Sequence, residues 1–253
     1  IAKIIPNSTI NGNLMTIKAS SLSVALAATP SAAVAVKKQS MIPAAGFVFS
    51  AGSQSDVTVR AVKLSGLGDT TGAFVAANFA QVVTACDLYN GDTKVGTSQA
   101  IDSTNGEVQI SNMNLPVAKG TSVTLVAKCT ADSTITQVGG DRFSVGIAAA
   151  VNVVAEDVDG NIVTPVTFPI NGTPTVAQTV KDGGLITIAA DNLRQSTILV
   201  ADGTTWQNIA SYKATAQYEA AKIERVRVTL PAGIESASFA GIAVAFNGSV
   251  VGQ

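Results

Sequence analysis

The amino-acid sequence predicts an all-β protein made of antiparallel β-sandwiches. Segments rich in Val, Ile and Thr alternate between apolar and polar residues, which is the period of a strand with one buried face. Asn-Gly and Asp-Gly pairs, which favour hairpin turns, separate these segments at short intervals. Evidence for helices is thin. With 253 residues, the chain has the length of one or two domains.

The predicted strands and turns follow one another along the whole chain. Alternating runs include residues 57–59, 123–125, 145–147 and 226–228. The turn pairs are Asn90-Gly91, Asn105-Gly106, Asp159-Gly160 and Asn247-Gly248, where a positive φ suits Asn and Gly. Residues 218–222 are compatible with a helical turn, and the Ala-rich residues 70–83 have no clear preference.

The composition excludes most catalytic chemistry. The chain has no histidine, so it cannot build Ser-His-Asp or Cys-His catalytic sites or His-containing zinc, haem or copper sites. Its 17 acidic residues are scattered, and no pair is placed for glycosidase-type chemistry. We therefore expect a protein that is not an enzyme.

The charge and hydropathy also restrict the partners. Charged residues make up only 13% of the chain and the net charge is −1, without basic clusters, which argues against nucleic acid. Mean hydropathy is +0.36, yet no stretch approaches the roughly 20 apolar residues of a spanning helix. We expect no membrane span.

Three segments of the first half recur, in the same order, in the second half. Residues 12–22 resemble 183–193, residues 56–64 resemble 222–230, and residues 86–91 resemble 243–248. This internal repeat predicts four parts: an N-terminal extended segment (1–11), a β-sandwich module (12–167), a linker (168–182) and a second, incomplete module (183–253).

The second module has no counterpart of residues 97–167, so it would expose an apolar face and open strand edges. Either the chain is a fragment of a longer array, or another subunit supplies the missing strands. Residues 1–10 are a candidate donated strand, and equally the tail of a preceding domain or a linker. The candidate assembly interface consists of Ile1, Ile4, Ile5, Ile10, Val226, Val228, Leu230, Val244 and Phe246.

Cys86 and Cys129 both occupy inward positions of predicted strands, Cys86 with Leu88 and Cys129 with Leu125. A disulfide between them would stabilise the fold and suit an oxidising compartment. Two buried free thiols would fit the same pattern.

Two kinds of weaker site stand in predicted turns. Asp157, Asp159 and Asn161 form a D-x-D-x-N series whose oxygen atoms suit calcium, although a plain Asp-Gly hairpin turn explains the same residues. Calcium is the one cofactor that the sequence suggests. Asn7, Asn171 and Asn247 each begin an N-x-[ST] sequon where a glycan could attach, or where the composition produces the triplet by chance.

Five short motifs occur in a fixed order: Thr29-Pro30, and FVFSA, LYNG, GTSVTL and DVDGN at residues 47–51, 88–91, 120–125 and 157–161. This order resembles tandem immunoglobulin-like modules of prokaryotic cell-surface proteins. The resemblance implies Ig-like β-sandwiches in tandem and a role in a surface layer, sheath, pilus-like filament or adhesin stalk. It carries over no functional residues.

We therefore expect a structural protein of an extracellular or cell-surface assembly that self-associates through strand edges. The alternative is an adhesin or a carbohydrate-binding module of a larger secreted protein. Trp206, Tyr212 and Tyr218 distinguish the two interpretations, because an exposed aromatic cluster would favour glycan binding and burial would favour assembly.

Overall fold

The computed structural model describes residues 19–167, 176–191, 206–229, 232 and 240–252. The chain divides into two units, Ile1–Glu219 and Ala220–Gln253. β-strands are the predominant regular secondary structure among the described residues, which confirms the predicted all-β class.

The strands of the first unit are β1 (Leu22–Leu26), β2 (Val34–Val36), β3 (Ile42–Ala51), β4 (Val57–Asp69), β5 (Val83–Asn90), β6 (Thr93–Val95), β7 (Thr97–Ser98), β8 (Glu107–Ser111), β9 (Leu115–Val117), β10 (Ser122–Ala131), β11 (Asp141–Gly146), β12 (Val153–Asp157), β13 (Pro165–Thr167), β14 (Gln178–Lys181), β15 (Leu185–Ala190) and β16 (Tyr212–Gln217). Those of the second unit are β17 (Val244–Phe246) and β18 (Ser249–Gly252). Among the described residues, one short helix, α1 (Phe79–Val82), follows a 3₁₀ turn at Ala76–Asn78, and a second 3₁₀ turn lies at Ala150–Asn152.

Sheet A contains six strands in the order β13-β1-β3-β10-β5-β6. Its centre is the antiparallel pair of β3 and β10, in which Phe47 lies opposite Leu125 and Phe49 opposite Val123. β10 alternates between buried and more exposed residues over most of its length. This is the expected pattern for a strand with one face on the core.

Sheet B is built around β4, the longest of the described strands with 13 residues. Its main order is β2-β14-β11-β4-β8-β7, and β12 and β9 also pair with β4. One half of β4 therefore lies between β11 and β8, while the other half lies between β12 and β9.

Sheets A and B enclose a common hydrophobic core, so the β-sandwich prediction is confirmed. Phe47 and Phe49 of sheet A and Val62, Leu64 and Phe143 of sheet B belong to the same buried cluster. Burial of such side chains contributes roughly 1.5–3 kcal/mol each, which makes this core the main source of stability.

The undecided residues 70–83 contain the short helical segment. Phe79, the first residue of α1, is buried, and its ring centroid lies 6.4 Å from that of Phe143. The ring occupies the space beside Gly66 of β4 where a β-carbon would otherwise stand. A residue without a side chain at this position lets the helical turn cover sheet B closely.

All four predicted Gly turns have the expected backbone. Gly91, Gly106 and Gly160 have positive φ, and both Asn247 and Gly248 do so in the turn between β17 and β18. Two positive φ values in a two-residue loop match the twist of the flanking strands.

The structure differs from the sequence analysis in three places. β14 lies within the predicted linker 168–182 and is a strand of sheet B. β13 and β14 form parallel pairs with β1 and β2, so the sandwich is mixed rather than purely antiparallel. Residues 221–229, predicted to contain a strand, form no ladder with other described residues, and a strand requires such pairing.

Candidate functional site

β15 and β16 form a two-stranded antiparallel sheet, named sheet C. Residues directly opposite each other share a face, and Ile186 pairs with Ala216, Ile188 with Ala214 and Ala190 with Tyr212. These six side chains are all apolar or aromatic, and we call them the apolar face of sheet C. The other face is mixed and contains Leu185, Thr187, Ala189, Lys213, Thr215 and Gln217.

The apolar face of sheet C is uncovered in the described structure. Every residue of β15 and β16 is exposed, and Ile188 and Tyr212 each retain 63% of their accessible surface. A two-stranded sheet is marginally stable in water unless its hydrophobic face is covered. This face therefore has the properties of an interaction surface.

The second unit also presents apolar side chains. β17 and β18 form a hairpin, named sheet D, in which Phe246 is 67% exposed and Val251 65% exposed. Among the predicted interface residues, Val226 and Val228 are exposed and Val244 is half-buried. Ile1, Ile4, Ile5, Ile10 and Leu230 lie outside the described residues.

Trp206, Tyr212 and Tyr218 are all exposed, at 64%, 63% and 44%. Tyr212 belongs to the apolar face of sheet C, and Tyr218 follows the end of β16 with a positive φ. None of the three is a core residue. The burial that would favour assembly is therefore not seen, and their exposure meets one of the two conditions of the carbohydrate-binding alternative, the other being that the three rings cluster on one face.

The structure joins Cys86 and Cys129 in a disulfide. They are directly opposite each other on β5 and β10, and each is 1% exposed. The cystine thus links neighbouring strands of one sheet, whereas the hallmark disulfide of antibody domains joins two sheets.

In the acidic turn at Asp157, the carboxylate of Asp157 accepts hydrogen bonds from neighbouring groups of the protein. One oxygen of Asp157 accepts hydrogen bonds from the backbone N–H groups of Asn161 and Asp159, at 2.9 and 3.0 Å, and the other accepts one from Ser20 Oγ at 3.1 Å. These bonds, the Asn161 backbone bond foremost, hold the pKa of Asp157 below its ordinary value. Among the described residues, no group of three or more His, Cys, Asp or Glu side chains is placed to hold a metal ion.

Asp69 and Asp141 are the sites that sequence reasoning missed. Both belong to the acidic residues that are scattered along the sequence, yet both carboxylates are fully buried, at the end of β4 and the start of β11. Asp141 accepts hydrogen bonds from Thr136 Oγ1 at 2.9 Å and from the Gln137 N–H at 3.0 Å. Their neighbours in the sequence are Gly, Thr and Arg, so local composition gave no signal of burial.

Asp69 is stabilised as an anion in spite of its burial. Burial raises its pKa, but the Arg142 guanidinium and the backbone N–H groups of Gly72 and Thr71 outweigh this effect and hold the pKa below its ordinary value. Arg142 Nε donates a hydrogen bond to one carboxylate oxygen of Asp69 at 2.9 Å, and the Gly72 N–H donates to the other at 2.6 Å. This network fixes loops beside sheet B and leaves the carboxylate fully occupied by donors.

The predicted glycosylation residues fall partly outside the described structure. Asn7 and Asn171 lie outside the described residues. Asn247 is exposed at the tip of the β17–β18 turn. A side chain at this position is accessible to modification.

Comparison with known proteins returned few similarities. No protein-family model matches the chain, and no curated protein matches it. A chain in a crystal structure of the CaDoc0917–CaCohA2 complex at pH 5.5 is similar with a TM-score of 0.30 and 11% identity, over 64% of this chain and 100% of that chain. At this TM-score the similarity supports no argument about function.

Within the described ranges, none of the helices is both long and apolar enough to traverse a lipid bilayer.

Proposed function

We propose that this protein is a structural, non-enzymatic component of an extracellular or cell-surface assembly and that it self-associates through strand surfaces. The observation that carries the proposal is the uncovered apolar face of sheet C, where Ile188 and Tyr212 each remain 63% exposed. Covering this face with a second copy would remove apolar surface from water at roughly 25 cal/mol per Å².

Three further features support the proposal. The outer edges of β15 and β16 have free backbone groups within the described structure, and such edges are templates for pairing with another chain. The low charge, 13% of residues, limits electrostatic repulsion between copies. The Cys86–Cys129 disulfide fits the oxidising environment outside the cytosol.

Sedimentation velocity over a range of concentrations tests this function with a matched pair of variants. Ile188→Lys places a charge on the apolar face of sheet C, whereas Thr187→Lys places it on the opposite face of the same strand. We expect the wild type and Thr187→Lys to assemble and Ile188→Lys to need about tenfold more protein to do so. Equal behaviour of the two variants would contradict the role of this face.

A second candidate function is glycan binding, as expected of an adhesin or a carbohydrate-binding module. It is favoured by the exposure of Trp206, Tyr212 and Tyr218, because aromatic rings are suited to contact the apolar faces of sugars. Binding to a glycan array that Trp206→Ala abolishes, by a protein that stays monomeric, would favour this candidate over assembly.

A further inference from the structure

The chain enters the sandwich of sheets A and B at the end where β10 begins. Leu22, the first residue of β1, lies opposite Ala51 of β3, and the adjacent Ser50 lies opposite Ser122, the first residue of β10. β1 and β10 run in the same direction, because both pair antiparallel with β3. The start of β1 therefore marks one end of the sandwich.

The chain leaves β14 at the opposite end. Lys181 is the last residue of β14, and its carbonyl oxygen accepts a hydrogen bond from the Lys37 N–H at 2.9 Å. The next residue, Lys38, donates its N–H to the carbonyl oxygen of Asp132 at 3.1 Å, directly after the last residue of β10. The end of β14 thus lies beside the end of β10, away from the start of β1.

The strands nearest to these two ends pair in parallel. β1 pairs with β13, and β2 pairs with β14, where Val34 lies opposite Thr179. A force that pulls β1 and β14 apart along the chain moves β14 along β2 in the direction of both strands. Because the hydrogen bonds run across the strands, this force loads them in shear, and they break together rather than one after another.

Side chains also hold β14 against sliding. Gln178 and Val180 are both fully buried. Gln178 Oε1 accepts a hydrogen bond from the Ala33 N–H at 2.8 Å, and its Nε2 donates to the Ser31 carbonyl oxygen at 3.2 Å. A displacement of β14 would leave these buried polar groups without partners and would remove Val180 from the core.

We propose that the sandwich bears tension along the chain, and that the parallel β2–β14 and β1–β13 pairs are the elements that resist it. This mechanical function belongs to a single copy and goes beyond self-association. It suits a chain that is pulled from both sides of its sandwich within an assembly.

Single-molecule force spectroscopy of the full chain tests the proposal by comparing two attachment geometries. Handles on Ala19→Cys and Gly183→Cys pull at opposite ends and load the parallel pairs in shear. Handles on Ala19→Cys and Ser53→Cys pull at one end and unzip β1 from β3, since Leu22 lies opposite Ala51. The three attachment residues are exposed. We expect the first geometry to need at least about twofold more force at the same loading rate. Equal forces, or a lower force in the first geometry, would overturn the proposal.

The disulfide identifies the unfolding step of the sandwich. Cys86 and Cys129 are 43 positions apart, and the residues between them cannot extend while the disulfide is intact. Dithiothreitol should therefore lengthen the step between residues 19 and 183 by about 150 Å. The step between residues 19 and 53 lies outside this loop and should keep its length. A first step that does not lengthen would show that the force comes from elsewhere, which would also overturn the proposal.

Two substitutions at one position test the part played by β14. The Thr179 N–H donates to the Ala33 carbonyl oxygen of the β2 side at 3.0 Å. Thr179→Pro removes this donor, whereas Thr179→Val keeps it. We expect Thr179→Pro to lower the force between residues 19 and 183, and Thr179→Val to leave it unchanged. Equal forces in the two variants would contradict the role of the β2–β14 pair. The comparison of attachment geometries needs no substitution in β14, so it stands even when Thr179→Pro does not fold.

The outcome is separable from that of the proposed function, because the force is measured on isolated molecules. A protein that stays monomeric at every concentration but shows the expected forces would lose the proposed function and keep this one. A protein that assembles but has equal forces in both geometries would do the reverse.

Discussion

At the scale of single residues, Asp69 is a buried carboxylate that stabilises the folded state. Its carboxylate accepts hydrogen bonds from Arg142 and from the backbone of Thr71 and Gly72. We expect Asp69→Asn to lower the free energy of unfolding at pH 7 by about 2 kcal/mol, because bonds to a charged acceptor are lost. Urea unfolding of both proteins measures the difference.

The pH dependence of that difference follows from the direction of the pKa shift. Because the pKa of Asp69 in the folded state lies below its ordinary value of 3.8, its contribution is complete above that value. It disappears as the pH falls through the lower, folded-state pKa. The wild type and Asp69→Asn should therefore converge in strong acid, and a constant difference down to pH 2 would contradict the assignment. The exposed Asp159→Asn is the control.

Gln178 gives a second prediction at this scale. Gln178→Met keeps the volume of the buried side chain but leaves the Ala33 N–H and the Ser31 and Ala44 carbonyls without their amide partner. Buried polar groups without partners are costly, so we expect a loss of about 3 kcal/mol in urea unfolding. Thr179→Val, on the outward face of the same strand, should change stability by less than about 0.5 kcal/mol.

At the scale of elements, the contact between α1 and β4 depends on one glycine. A β-carbon at residue 66 would overlap the Phe79 ring. Gly66→Ala should therefore displace Phe79 from the core and cost about 2 kcal/mol, as overpacked cores do. Thermal unfolding measures this loss. Gly139→Ala is the control, because a β-carbon there meets nothing within 4 Å, and an equal loss in both variants would refute this explanation.

The disulfide acts between β5 and β10. It joins residues separated by 43 positions, so its loop-closure contribution is about 4 kcal/mol. We expect Cys86→Ala with Cys129→Ala to lose about that much in urea unfolding, and dithiothreitol to destabilise the wild type only. A double variant as stable as the wild type would show that core packing alone holds these strands together.

The elements that could be predicted from the sequence are those whose signal is local. The Asn90-Gly91 pair predicted the turn between β5 and β6, and strand alternation placed Cys86 and Cys129 inward. β14 was not predicted, because it has only four residues and an inward glutamine. The hydrogen-bond partner of that glutamine, Ala33, is 145 positions away. The burial of Asp69 was not predicted either, because its partner Arg142 is also distant in the sequence, 73 positions away. Long-range partners decide burial at such residues.

At the scale of the whole molecule, the described sheets differ in how well their apolar side chains are covered. The sandwich of sheets A and B buries a continuous core, whereas sheets C and D expose apolar residues such as Ile188 and Phe246. The tandem arrangement of Ig-like modules stays a prediction, as does the boundary at residue 183. The exposed sheets are the physical basis for assigning a role in assembly.

Electron microscopy of the purified, concentrated chain tests the central claim most directly. Self-association through uncovered strand surfaces predicts ordered polymers or sheets whose repeat matches one subunit, and their loss in Ile188→Lys but not in Thr187→Lys. Strictly monodisperse monomers at every concentration would contradict the account.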